Sequence, residues 1–216
     1  MFDRYAFVGH FYEFASRLYS GNAIPKCREA MLDHLKPGDK VVFGGVGYGW
    51  DAIRAAQLGA DVTIVEISPT MITKFNETVK KAGAEHLKLR AVQSDILKFD
   101  EFEAYDMVVA NFFLNVHTRE LMMRIWTHMI KLGKPGSKFV IGDFELPSGN
   151  ILTRLIKHTY YLAANFTFWI IAGNALHIIY DYPTIMKTLG LELRETRYIP
   201  FLGINFYWSL LAEKKA

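Results

Sequence analysis

The sequence of 216 residues has a single cysteine, Cys27, so no internal disulfide can form and nothing points to an oxidising compartment. Long apolar runs are missing too. The stretch from Tyr160 to Gly173 is interrupted by Asn165 and Thr167, and falls short of the roughly 20 apolar residues of a membrane span. The first residues lack a basic start followed by an unbroken apolar segment, so no secretory leader is expected. Charge of one sign is scarce: 25 Lys and Arg against 22 Asp and Glu give a net +3, too even to argue for a nucleic-acid partner. His10, His34, His86, His128 and His158 show no metal-ligand spacing, and with one cysteine no metal site is expected. There is no repeat, low-complexity tract or linker. What these absences leave is one globular domain, 51% hydrophobic and 22% charged, expected in the cytoplasm with membrane-surface contact left open.

What is present alternates. Lys40 to Gly44 reads as a short buried strand, Asp51 to Leu58 as a helix, Val62 to Val65 as a second strand and Pro69 to Ala82 as a second helix. Strands follow at 87–92, 106–110 and 138–141, with a helix at 119–132. Near-continuous apolar strands separated by helices predict a parallel sheet covered on both faces. Residues 191–199 and 204–211 read as two strands joined by Pro200-Phe201-Leu202-Gly203, a link so short that they must be antiparallel. Helical spacing marks the N-terminus (Phe7, Phe11, Phe14, Leu18, Tyr19), a stretch from Pro25 to His34, an aromatic segment at 150–176 and a short helix at 182–189.

One segment is chemically specific. The first strand runs into Gly45-Val46-Gly47-Tyr48-Gly49-Trp50-Asp51, with glycines at alternate positions before a helix. Glycine admits positive φ and lets a ligand touch the backbone. A dinucleotide fingerprint needs a glycine where Trp50 stands, which argues against a nicotinamide oxidoreductase, and no G-K-[ST] follows for a triphosphate. Glu66, twenty-one residues after Gly45 at the end of the second strand, suits a ribose diol. Gln93-Ser94-Asp95-Ile96 follows the third strand, and Asn111 to His117 the fourth.

G-x-G-x-G, Glu66 and Ser94-Asp95-Ile96, in this order, resemble the motifs of the class I S-adenosylmethionine-dependent methyltransferases, from about Lys36 to the C-terminus. The resemblance implies an α/β fold: a Rossmann-like, doubly wound, seven-stranded sheet, mostly parallel with an antiparallel last strand, under a helical lid. It implies S-adenosylmethionine as cofactor, held by Gly45, Gly47 and Gly49, by Glu66 at the ribose with Ile67 on the adenine, and by Asp95 and Ile96 at the adenine, with Asn111 in the floor. The corresponding organisation is a lid at 1–35, a cofactor-binding core at 36–149, a substrate cap at 150–180, and a C-terminal helix and hairpin at 181–216. The N-P-P-Y signature of nucleobase and glutamine amide methylation is absent. One departure stands out. Phe43 occupies the place where the family usually has an acid. Either Asp51 or Asp143 replaces it, or cofactor binding is altered, so a non-methylating or non-catalytic S-adenosylmethionine-binding protein of the same fold is the alternative.

The aromatic lid and cap predict a small apolar or amphiphilic acceptor: a quinone or phenol, a lipid headgroup or an aromatic metabolite. The pattern is similar to small bacterial ubiquinone/menaquinone-type and phospholipid N-methyltransferases, whose N-terminal tyrosines close over the cofactor. Tyr5, Tyr12 and Tyr19 share one helix face here, which makes Tyr19 a cofactor-side candidate or a core residue. The candidate bases are His117, His177 and Tyr180, histidine being the usual general base near neutral pH. The sequence sets no oligomeric state.

Overall fold

A computed structural model describes residues 19–172 and 178–214. The expected N-terminal helix face with Tyr5 and Tyr12, and the candidate base His177, lie outside the described residues. Seven strands form one sheet: β1 (Lys40–Gly44), β2 (Asp61–Glu66), β3 (Leu89–Gln93), β4 (Tyr105–Val109), β5 (Gly133–Phe144), β6 (Leu191–Phe201) and β7 (Ile204–Lys214), in the order β3-β2-β1-β4-β5-β7-β6. The first five pair in parallel, and β7 runs antiparallel to both β5 and β6. This is the doubly wound, mostly parallel sheet with an antiparallel last strand that the resemblance implies. No described helix is long and apolar enough to cross a membrane.

The helices are α1 (Ala23–Glu29), α2 (Trp50–Gln57), α3 (Pro69–Lys81), α4 (Arg119–Leu132), α5 (Ile151–Ala172) and α6 (Tyr182–Thr188). Their starts follow local chemistry. The Ser68 hydroxyl accepts the Met71 amide at 3.2 Å ahead of Pro69, and the Asn150 side chain accepts the Thr153 amide at 2.8 Å. One sheet face is packed by α2 and α3 through Ile53 and Phe75, the other by α4 and α6 through Trp126 and Met186. A third cluster, with Cys27, Phe144, Tyr161 and Tyr207, seats α1 and α5 at the carboxyl end of the sheet.

Three details differ from the expectation. The helix over 25–34 stops at Glu29, and a separate 3-10 turn covers Leu32–His34. Arg197 of β6 donates to the Ala30 carbonyl and pairs with Asp33, removing that carbonyl from helix continuation. Strand β5 starts five residues early, at Gly133, where it pairs with Tyr105 across an irregular register. The last hairpin turns on Leu202 and Gly203 alone, both with positive φ, so Pro200 and Phe201 belong to the edge strand β6.

Candidate active site

The carboxyl ends of β1, β2 and β4 open on a cavity walled by the glycine loop, by Glu66 and Ile67, and by residues 111–117, and roofed by Tyr161 and Asn165 of α5. Strand order reverses between β1 and β4, which is where open α/β sheets place a ligand. Both oxygens of Glu66 are tied to backbone: Oε2 accepts the Val46 amide at 3.1 Å and Oε1 the Ser68 amide at 2.8 Å. The two amides fix the orientation of the carboxylate at the cavity wall. Gly45 and Gly47 line the cavity; Gly49 does not. Gly49, at φ +74°, lies against the Phe75 ring, where a Cβ would clash with α3.

Asp95 and Ile96 sit beside this cavity, outside its lining. β3 pairs with β2 in register Glu66 to Gln93, and the Glu66 carbonyl accepts the Ser94 amide at 3.0 Å. Asp95 caps a turn, accepting the Leu97 amide at 3.0 Å, and Ile96 is buried in the core. Ile67 is half exposed on the cavity wall, and Tyr19 also lines it, its carbonyl held by the Tyr160 hydroxyl at 2.9 Å.

On the opposite wall His117 stands edge-on to Phe113, ring centres 5.5 Å apart. Its backbone carbonyl accepts the Tyr180 hydroxyl at 2.7 Å. Tyr180 itself is buried behind the wall, and burial pushes its hydroxyl up to about 12, so its geometry suits a prop for His117 better than the base it was considered as from sequence. Phe112 holds φ +50°, a strained conformation for a bulky residue, fixed by its amide on the Gly142 carbonyl at 2.8 Å and by ring contacts to Phe144 and Tyr207.

The acid missing at position 43 has a structural context. Phe43 is buried in the core against one sheet face, with its edge on the cavity. Asp143 is buried and committed: it accepts from Asn115 at 2.7 Å, from the Phe144 amide at 2.7 Å and from the Tyr182 hydroxyl at 2.6 Å. Asp51, in the first turn of α2, is buried and lines the cavity, as does Arg28. Asn111 joins them, donating to the Arg28 carbonyl at 2.9 Å and to Asp51 at 3.1 Å while accepting the Gly142 amide at 2.9 Å.

Residues 41–136 match the family model of a methyltransferase domain. Over that range the chain is similar to methyltransferase domains. Among curated proteins, this domain is similar to ribosomal protein L11 methyltransferase of Geobacillus thermodenitrificans, 30% identical over 53% of this chain and 35% of the relative. The chain thus spans about a third of the curated relatives it matches first. Among solved structures, the fold resembles 1,6-didemethyltoxoflavin-N1-methyltransferase of Burkholderia thailandensis with bound substrate and S-adenosylhomocysteine (TM-score 0.70, 16% identity, 99% of this chain and 87% of that one). It also resembles magnesium protoporphyrin IX methyltransferase of Synechocystis with bound S-adenosylhomocysteine (TM-score 0.65, 18% identity, 96% and 84%).

Among the residues lining this cavity, Arg28, Tyr161 and Asn165 are not read from the sequence as site residues. Tyr161 and Asn165 carry a signal that was available. With Lys157 they form a polar stripe at four-residue spacing, and all three face inward.

Proposed function

We propose that the protein transfers a methyl group from S-adenosylmethionine to a small, flat, largely apolar acceptor such as a phenol, quinone or aromatic heterocycle. The carrying observation is the ring-lined chamber between His117 and α5: Phe112, Phe113, Phe144 and Tyr161 surround it, and Asn115 and Asn165 add amides. Such a surface stacks on a planar ring and orients it with few hydrogen bonds. The bound cofactor supplies an electrophilic methyl on a sulfonium. In this reading Glu66 would hold the ribose, Gly45 and Gly47 would allow close backbone approach and Ile67 would pack on the adenine, while Asp95 and Ile96, beside the cavity and outside its lining, would act on the adenine edge.

The chain's own work is positioning and water exclusion. Rings wall the acceptor, Asn115 is steadied by Asp143, and α5 roofs the chamber. His117 takes the proton released as the acceptor's lone pair bonds to carbon, and the Tyr180 hydroxyl holds its backbone in place. Cytoplasmic placement and contact with a membrane surface belong to the same reading. The outward face of α5 exposes Ile151, Leu155, Leu162 and Phe166, which suit the interface where an amphiphilic acceptor dissolves.

The test is transfer of labelled methyl to a panel of catechols, hydroxyquinones, flat N-heterocycles, phosphatidylethanolamine and ribosomal protein L11. Product formation on a flat ring supports the reading. Label on the polypeptide alone, as the name of the L11 relative would suggest, replaces it. His117→Ala lowers turnover by about 100-fold or more, with affinity for S-adenosylhomocysteine unchanged.

A further inference from the structure

We propose that the outward face of α5 pairs with the same face of a second copy of this chain, antiparallel, about a twofold axis between residues 160 and 161. The pairing is independent of the acceptor assigned above.

α5 is 22 residues long, roughly 33 Å at the helical rise. Its inner side belongs to the protein: Lys157 pairs with Glu145, Tyr161 and Asn165 roof the cavity, and Ala164 is buried. Its outer side is apolar. Leu152, Leu155, Leu162, Phe166 and Trp169 are between 44% and 65% exposed, with Thr159 in line with them and Ile151 and Ile156 at the margins. Along this stripe the steps alternate between three and four residues. That is the seam of a two-helix coiled coil, in which a 3.5-residue repeat keeps one edge on a partner helix. A helix lying on a broad apolar surface carries a wider face, so the spacing favours another helix as occupant.

The order of residues selects the direction. About that twofold axis, Leu152 meets the partner's Trp169, Leu155 meets the partner's Phe166, and Thr159 meets the partner's Leu162. The two rings at one end, stacked with centres 5.6 Å apart, thus meet the leucines at the other. Parallel pairing would set Trp169 on Trp169 and Arg154 beside Arg154. Arg154 is exposed next to the stripe, and α5 contains no Asp or Glu. Antiparallel pairing holds the two guanidinium groups roughly 20 Å apart, beyond the Debye length of about 8 Å. Each then lies near the last turns of the facing helix, where the dipole is negative.

The area is sufficient. At about 150–250 Å² for a large ring, Phe166 and Trp169 offer roughly 200 Å², and the aliphatic chains bring the stripe to on the order of 700 Å² per copy. A standard interface takes about 800 Å² a side. Because Tyr161 and Asn165 roof the chamber from the same helix, pairing also braces the roof.

Sedimentation equilibrium of the full chain at tens of micromolar should give about twice 24.7 kDa. Leu155→Glu and Phe166→Glu, both at exposed positions, should each weaken pairing about 30-fold or more with the circular-dichroism spectrum unchanged. Leu155→Glu joined with Phe166→Lys in one chain should recover about tenfold, because the antiparallel register sets these positions opposite each other. A monomeric protein, a dimer that both glutamate variants leave intact, or a double variant no better than the single ones overturns the pairing. Adding phosphatidylglycerol vesicles separates this inference from the membrane contact above, since a copy and a bilayer cannot cover one face together. A dimer that parts onto vesicles supports both. A dimer that ignores them keeps the pairing and removes the membrane contact, whereas a monomer that binds them does the reverse.

Discussion

Glu66 and Val46 are joined across the crevice: the carboxylate at the end of β2 accepts, at 3.1 Å, the amide of the loop that leaves β1. The residue proposed to hold the ribose therefore also shapes the glycine loop. Glu66→Gln keeps one acceptor and loses the charge. Affinity for S-adenosylhomocysteine should fall by about 1–3 kcal/mol, with a smaller drop in melting temperature from the loosened Val46 contact. Titration and a thermal melt on one sample separate the effects; unchanged affinity removes Glu66 from the site.

The loop glycines should respond differently to a methyl group. A Cβ on Gly49 would stand 2.3 Å from Phe75 Cδ2 at φ +74°, so Gly49→Ala should cost about 2–4 kcal/mol of stability. At Gly47 the nearest atom is the Arg28 guanidinium at 3.5 Å, so Gly47→Ala should cost only about 1 kcal/mol, from φ +52°, while weakening nucleoside binding. Denaturant unfolding and titration of both variants check this split, and the reverse ranking would contradict the assigned roles.

Lys157 of α5 and Glu145 after β5 form an ion pair at 5% exposure each, with the Ser148 hydroxyl bonded to both. It fixes the base of the cap on the sheet. Lys157→Met alone strands a buried carboxylate and should destabilise by about 3–5 kcal/mol. Lys157→Met with Glu145→Leu should recover most of that loss. Urea unfolding of the single and double variants measures the coupling, and an additive result would show that the pair is not coupled.

Alkali should unfold the protein in a defined window. Burial pushes the hydroxyls of Tyr105, Tyr160 and Tyr180 up from 10.0 to about 12. The folded state then binds more protons than the unfolded chain between these values. Stability is full below pH 10 and is lost as pH rises toward 12, on the order of 1–2 kcal/mol per ring. Tyr180→Phe should start less stable, for want of the bond to the His117 carbonyl, and fall less steeply in that window. Unfolding free energies at several alkaline pH values provide the check.

The parallel core strands, the antiparallel β7 and the glycine loop were legible because each rests on local pattern: buried runs, glycines at alternate places, a link too short for a crossover. Glu66 was legible through its spacing. The 157–161–165 stripe was visible but ambiguous. A helix exposing Ile151, Leu155 and Phe166 reverses the usual rule that the apolar face turns inward, and only its packing on Phe144 and Tyr207 shows which side is which.

The sequence by itself determined the sheet, the loop and the carboxylate at its second strand, because these depend on neighbours along the chain and on continuous apolar runs. Only the tertiary structure decided which acid faces the cavity. Asp51 and Asp143 are alike as residues, but one is aimed into the crevice by an asparagine 60 positions away, while the other is consumed by a tyrosine 39 positions away. The availability of a buried charge is set by the partners that folding brings to it, and those partners come from distant parts of the chain.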